Sequence, residues 1–208
     1  MNAAPSPSSS RRDSLILAAA QVFSERGYQG ATMEEIARRA GVAKGTSYLH
    51  FEDKADLFYA VFEKWAQEAM AGAEGPVAAA PDAAGRLKAL ALSAVDYMAS
   101  HREMMPLSLE VWAASNSPGL RDRFAQALGG LYAGYRRAVC GLIQEGQAVG
   151  EFRQEIDPEA VASLLTGAID GLFLQCWFEP GLEAHRYVEG FFDALLKGLA
   201  LSAKGDRS

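Results

Sequence analysis

This 208-residue chain is poor in the residues that make scaffolds and metal sites. With two cysteines, Cys140 and Cys176, a disulfide framework is excluded and a reducing cytoplasm is the expected compartment. The three histidines, His50, His101 and His185, lie far apart, and no His/Cys/Asp group has ligand spacing. No metal and no cofactor is therefore expected. There is no phosphate-cradling glycine loop and no Ser/His/Asp order with a supporting local motif, so the chain does not read as an enzyme. The opening MNAAPSPSSS has Pro and Ser where a secretory signal needs an apolar segment. The longest apolar stretch, about residues 160–178, contains Ser163, Thr166, Asp170 and Gln175, which favours a buried helix over a membrane span. Alternating strand patterns are lacking.

What is present suits an all-α protein: half the residues are hydrophobic, and Ala, Leu and Gly abound. The net charge of −6 is unevenly spread. Residues 1–54 carry seven Lys/Arg against six Asp/Glu, and residues 55–208 carry thirteen against twenty. A segment so nearly neutral can bind nucleic acid only through placed contacts and avidity, not through a broad basic field.

Residues 32–54, TMEEIARRAGVAKGTSYLHFEDK, carry the strongest signal. Thr32 and Glu35 have capping-box spacing, so the Thr32 hydroxyl can accept from a free amide while Glu35 reaches back. Met33, Ile36, Ala37 and Ala40 form one apolar face, and Gly41 follows where a helix wants a left-handed residue. Val42 fills the corner, and a second short helix spans about Lys44 to His50. The pattern is that of a helix-turn-helix, whose second helix enters the major groove. Lys44, Thr46, Ser47, Tyr48 and His50 supply donors there, Gly45 allows close backbone approach, and Lys54 stands where a phosphate could meet the next helix. The plainer reading of this spacing is a helical hairpin with a solvated polar face.

The run GVAKGTSYLHFEDKADLF resembles the DNA-binding signature of the TetR family: Gly41-Val42, Ala43, Lys44-Gly45-Thr46, Tyr48, His50-Phe51, Lys54 and Leu57 match in one register. The likeness covers roughly residues 11–60; beyond it only length and helical character agree. Ser47 departs from the signature, which usually has Leu, Ile or Val there. A small polar residue forfeits burial worth about 1–3 kcal/mol, so either the helix is held less firmly or the Ser47 hydroxyl serves the DNA.

Around that segment the chain reads as about nine helices. Residues 1–10 are expected to be a disordered arm, 11–54 the DNA-binding domain, and 55–208 a ligand-binding and dimerisation domain. Ser10 and Asp13 are positioned to cap a first helix that buries Leu15, Ile16, Ala19, Val22 and Phe23 and stops at Gly27. Arg11 and Arg12 at its start can serve a groove or phosphate, or simply form a solvated arm. Asp53 starts a fourth helix with Leu57, Phe58, Val61, Phe62 and Trp65 inward. Residues 72–82 read as a loop, Asp82 caps a helix to about Arg102, and a short segment covers about Met104 to Ala114. Ser117-Pro118 and Asp157-Pro158 begin two long helices, and a last one spans about Glu183–Ser202.

The helix from Pro158 is apolar on two sides and needs two partners. The resemblance implies that the last two helices form a four-helix homodimer interface, carried by Leu165, Ile169, Leu172, Phe191, Phe192 and Leu195, although intramolecular core accounts for the same residues. Paired heads would demand a palindromic double-stranded operator. Soft and aromatic residues of the middle helices (Tyr97, Met98, His101, Met105, Trp112, Phe124, Leu128 and Tyr132), with Asp170, Leu174 and Trp177, are the expected lining for a small, mostly apolar effector, or else plain core. The function expected is a ligand-released DNA-binding repressor. The alternatives are a redox-responsive regulator using Cys140 and Cys176, a small-molecule enzyme, and a ligand-free architectural DNA binder, which would leave most of the chain without a role.

Overall fold

A computed structural model describes residues 7–102, 105–107, 109 and 118–200, without the side chains of 7–9, 118–121, 123, 124, 127 and 128. Eight helices are bounded within the described residues: α1 Pro7–Gly30, α2 Met33–Arg39, α3 Lys44–His50, α4 Lys54–Ala79, α5 Ala83–Ser100, α6 Pro118–Ala148, α7 Pro158–Phe178 and α8 Ala184–Leu199. Residues 105–107 and 109 are helical as well. Among the described residues the β structure is one isolated bridge, Phe152 to Ala200, in which Arg153 N–H meets the Leu199 carbonyl as α8 ends.

Helix α1 starts at Pro7, so residues 7–10 of the expected disordered arm are helical, and Ser10 lies inside the helix instead of capping it. Its carbonyl accepts from the Ser14 hydroxyl at 2.8 Å. Gly27 (φ 69°) breaks the helical path where the stop was expected. The expected inward stripe of Leu15, Ile16, Ala19, Val22 and Phe23 is buried throughout.

Helix α4 begins with a reciprocal cap, in which Asp53 accepts from Asp56 N–H at 2.8 Å and Asp56 accepts from Glu52 N–H at 3.0 Å. It continues through most of the stretch expected to be a loop, with Pro76 inside it. Ala73 is buried there and Val77 packs on the same core, so tertiary burial outweighs the Gly/Pro signal. Asp82 caps α5 as expected, accepting from Gly85 N–H at 2.7 Å. A second carboxylate comes from far along the chain: Glu151 accepts from Ala83 and Ala84 N–H at 2.9 and 2.8 Å. Two carboxylates therefore meet the positive end of one helix. Asp157 caps α7 through Glu159 N–H at 2.9 Å, with Pro158 at its first position.

The described residues form two compact units. One holds those up to residue 67 with those of His101–Gly130; the other holds Glu68–Ser100 and those from Leu131 onward. The division falls inside α4 and α6. In the first unit the core joins α1, α2 and α4 through Leu15, Phe23, Ile36, Leu57 and Phe58, and includes Leu107. Ring contacts run from Tyr28 through Phe58, Phe62 and Trp65 to His101, with centroids 4.9–6.2 Å apart. The second unit is centred on Leu87, Leu90, Val95, Val139, Ile143, Phe152 and Phe192.

Candidate functional site

The segment 32–54 folds as its spacing predicts. Thr32 has extended backbone angles, and its hydroxyl accepts from Glu35 N–H at 3.2 Å. The Glu35 carboxylate, expected to reach back to the cap, lies 2.9 Å from Arg26 of α1. At the other end of α2, Val42 N–H meets the Ala37 carbonyl and Gly41 N–H meets that of Arg38, at 3.0 and 3.2 Å, with Gly41 at φ 70°. This is a Schellman stop, and it sets the turn into α3. Glu25 of α1 holds Arg39 of α2 through two bonds of 2.6 and 2.7 Å, which fixes the pair of helices on their solvent side.

Helix α3 presents one face to solvent. Lys44, Gly45, Tyr48 and Leu49 are exposed, and Thr46 and His50 flank them half-buried. The Lys44 ammonium lies 3.0 Å from Glu34, whose carboxylate pushes the lysine's pKa above its ordinary value, so Lys44 is a cation. Two residues expected at the DNA are turned inward. Ser47 is fully buried, and its hydroxyl donates to the Lys44 carbonyl at 2.7 Å, so it packs and does not face a groove. Lys54 donates to the carbonyls of Tyr28 and Ala31 at 2.7 and 2.9 Å, engages Gln29 O at 3.5 Å, and lies over the Tyr28 ring. Its ammonium is committed to the end of α1, not presented to a phosphate. Arg12 lies over the Phe51 ring at 5.2 Å, which ties the start of α1 to the residue that closes α3. Sequence reasoning missed Leu49, the most exposed of the large apolar side chains among the described residues, at 82%. Its place between Tyr48 and His50 was the available signal.

The residues expected to line an effector site divide between the units. His101, its ring edge to Trp65, and the buried Met105 belong with the head. Tyr97, Met98, Tyr132, Asp170, Leu174 and Trp177 belong to the other unit. Trp112 lies outside the described residues, as do the side chains of Phe124 and Leu128. Within the second unit Tyr132 and Asp170 meet through a side-chain hydrogen bond. Burial raises the pKa of both, and the tyrosine hydroxyl opposes the shift on the carboxyl. Neighbouring Tyr135 is pushed up to about 12 by burial. The Tyr97 hydroxyl faces Glu68 at 3.5 Å. Sequence reasoning did not anticipate an open groove of about 350 Å³ between α4, α5 and α6, lined by Met70, Val77, Leu90, Arg137 and Leu142 among others.

The last two helices carry a second groove, of about 380 Å³, lined by Leu165, Ile169, Leu172, Phe191 and Phe192 of the expected interface set. Leu165 and Phe192 are buried within the single chain, 5% and 2% exposed, so they are core residues of this unit and only edge the groove. Ile169, Leu172 and Leu195 are half-buried. Leu164, Phe178, Tyr187 and Phe191 are exposed, and so is Trp177, which had been assigned to the effector. Helix α7 is long and apolar enough to cross a membrane by length and composition alone, but it carries Asp170 and contributes Ala162 and Leu165 to the core.

The cysteines do not form a redox pair. The Cys140 thiol lies 3.4 Å from the carbonyl of Pro158 at the start of α7, and Cys176 is eighteen residues further along that helix. At 1.5 Å per residue the two sulfurs are separated by roughly 27 Å. Burial, with Glu159 and Asp157 nearby, raises the Cys140 pKa and holds it as a thiol.

Comparison with known proteins agrees with both halves of this description. Residues 15–61 match the bacterial regulatory proteins of the tetR family, and residues 83–201 match the C-terminal domain of BetI-type transcriptional repressors. Over 92 residues the chain is 37% identical to the HTH-type transcriptional activator FasR of Mycolicibacterium smegmatis, covering 44% of this chain and 42% of that protein. It is 26% identical to the fatty acid metabolism regulator protein of Bacillus subtilis, over 75% of this chain and 78% of the relative. The solved structure of the fatty acid degradation regulator FadR from Bacillus halodurans superposes with a TM-score of 0.74 at 25% identity, over 94% of this chain and 97% of that one. The capped α2, the glycine stop, the exposed face of α3 and the two matching domain models lead to one conclusion: this chain belongs to the TetR family of helix-turn-helix transcriptional regulators.

Proposed function

We propose that the protein is a cytoplasmic repressor that binds a palindromic operator as a homodimer and is released by a small, mostly apolar effector. The carrying observation is the division of labour on α3: Ser47 is fully buried while Lys44, Gly45, Tyr48 and Leu49 face outward. Thr46 and His50 flank that surface and Thr32 is exposed at the start of α2, with hydroxyls and an imidazole suited to phosphate and base-edge contacts. A head so close to neutral holds DNA weakly alone, which makes avidity between two heads part of the mechanism. The dimer reading is supported by the exposed apolar side chains of α7 and α8, Leu164, Phe178, Tyr187 and Phe191, of which Tyr187 and Phe191 line the groove already described.

For the effector, the support is that the second unit holds the half-buried Met98 and Tyr135 against its core and the hydrogen-bonded Tyr132–Asp170 pair. Two of the relatives above are named for fatty acid metabolism or degradation, which favours an acyl-chain molecule. Helix α4 passes from one unit into the other, as α6 does, and it leads directly from α3, so it is a covalent route by which occupancy of the second unit can reach the head. The test is selection of a duplex from a random pool, followed by titration at several salt concentrations. The expected site is palindromic, with affinity falling steeply with salt and with one dimer bound. Long-chain acyl compounds are expected to raise the Tm and to release the DNA. Salt-insensitive binding to any duplex would overturn the reading.

A further inference from the structure

The crest of α3 is apolar. At 100° per residue, Gly45 and Leu49 fall about 160° and 200° around the helix from Ser47, which is fully buried. They therefore flank the line pointing directly away from the core. Gly45 is exposed, and a Cβ added there would meet nothing within 4 Å, so no side chain keeps the helix from its target at that level. One turn on, Leu49 is 82% exposed and is the first side chain to project from the crest. Tyr48 and Lys44 lie to one side of it, Thr46 and His50 to the other. An isobutyl group so exposed contributes almost nothing to the fold. It sits where a helix-turn-helix protein meets the floor of the major groove. The one apolar feature the bases present there is the thymine 5-methyl group.

We propose that Leu49 is a specificity-determining residue that reads a thymine methyl in each half of the operator, while the polar residues beside it position the helix. The role is distinct from phosphate contact, because it carries sequence information and no charge. It also accounts for a large apolar residue kept in water on the free protein: its partner is supplied by the DNA.

The experiment uses the full chain and the duplex it selects from a random pool. Each thymine of that duplex is replaced in turn by deoxyuridine, which removes the methyl group alone. For the wild type, one symmetry-related pair of thymines is expected to matter. Losing one methyl should weaken binding about 4-fold, the equivalent of about 0.8 kcal/mol for one buried methyl-sized group, and losing both about 15-fold. Leu49→Ala should bind the thymine duplex more weakly, keep the wild-type Tm because the side chain is exposed, and show no further loss at the same two positions. Leu49→Met, which retains an apolar tip, should restore the thymine preference in part. The inference is overturned if no thymine is sensitive to loss of its methyl, or if Leu49→Ala keeps the full thymine-to-deoxyuridine ratio at every position. It rests on the DNA-binding reading. Failure to select any sequence would overturn both, whereas a selected site with no methyl-sensitive thymine would overturn this one alone.

Discussion

Lys54, the first residue of α4, places its ammonium 2.7 Å from the carbonyl oxygen of Tyr28 and 4.5 Å from the centre of the same residue's ring. With Ala31 O at 2.9 Å it closes the end of α1, where the last carbonyls of a helix have no partner within it. A cation suits that end of a helix. The lysine thereby fastens the start of α4 to the turn that precedes α2, and α3 is packed against that assembly. The effect expected on DNA is indirect, through the placement of α3.

Lys54→Met tests this with a measurement that a phosphate contact would answer differently. Losing charge-assisted bonds to carbonyls should cost about 1.5–3 kcal/mol of head stability, visible as a lower Tm and a lower urea midpoint. Operator affinity should fall with it. The slope of log K against log salt should stay at the wild-type value, because no phosphate contact is lost. A slope smaller by about 0.9 per protomer would place the ammonium on the DNA.

Ser47 gives the complementary case. Its hydroxyl is satisfied by the Lys44 carbonyl inside the same helix, and that carbonyl retains its place in the helical ladder when the hydroxyl is removed. Ser47→Ala should therefore change stability by less than about 1 kcal/mol and leave operator affinity within about two-fold. A tenfold loss of affinity at unchanged Tm would return the hydroxyl to the DNA.

Gly146 of α6 is required by contact, not by backbone angle. A Cβ there would sit 2.3 and 2.5 Å from carbons of the Phe152 ring, and Phe152 is buried at 1% exposure. The amides of Glu151 and Phe152 both donate to the Gly146 carbonyl, so the turn cannot swing the ring away freely. Gly146→Ala should cost about 1–3 kcal/mol as overpacking, read by chemical denaturation. Gly141→Ala, on the same helix with open space around the added carbon, should be neutral or slightly stabilising.

These cases show which parts of the molecule were legible in the sequence. Local signals decided local structure: Thr32, Gly41, Asp53, Asp82 and Asp157-Pro158 each mark a boundary that the fold keeps, because caps and stops act within four residues. The Gly/Pro signal at residues 72–82 failed because burial of Ala73 and Val77 is a tertiary effect that composition does not carry. Lys54 was expected at a phosphate and is turned to backbone carbonyls, and Ser47, left open between packing and DNA, packs. Polar type announces a partner without saying whether it is a base, a phosphate or a carbonyl 26 residues away. Leu49 was overlooked for the converse reason. An apolar residue in a helix is assigned to the core by default, and its place between Tyr48 and His50, opposite the buried Ser47, shows that it faces out.

Asp170 offers a prediction in pH. Burial raises its pKa above the value of an unfolded aspartate, about 4. The folded chain therefore holds this proton more tightly than the unfolded chain does. The group's contribution to stability is most favourable below about pH 4 and is lost as pH rises through the folded value. Asp170→Asn removes the titration while keeping an acceptor for the Tyr132 hydroxyl. The variant should match the wild type near pH 4, exceed it in Tm at pH 7, and show a flatter stability profile between them. Tyr132→Phe should move the other way, steepening the loss towards neutral pH, because the hydroxyl that steadies the carboxylate is gone. If Asp170→Asn is instead less stable than the wild type at pH 7, the ionised carboxylate is held by a cation in the folded protein. Asp170 would then be a charged anchor and not a strained, desolvated acid.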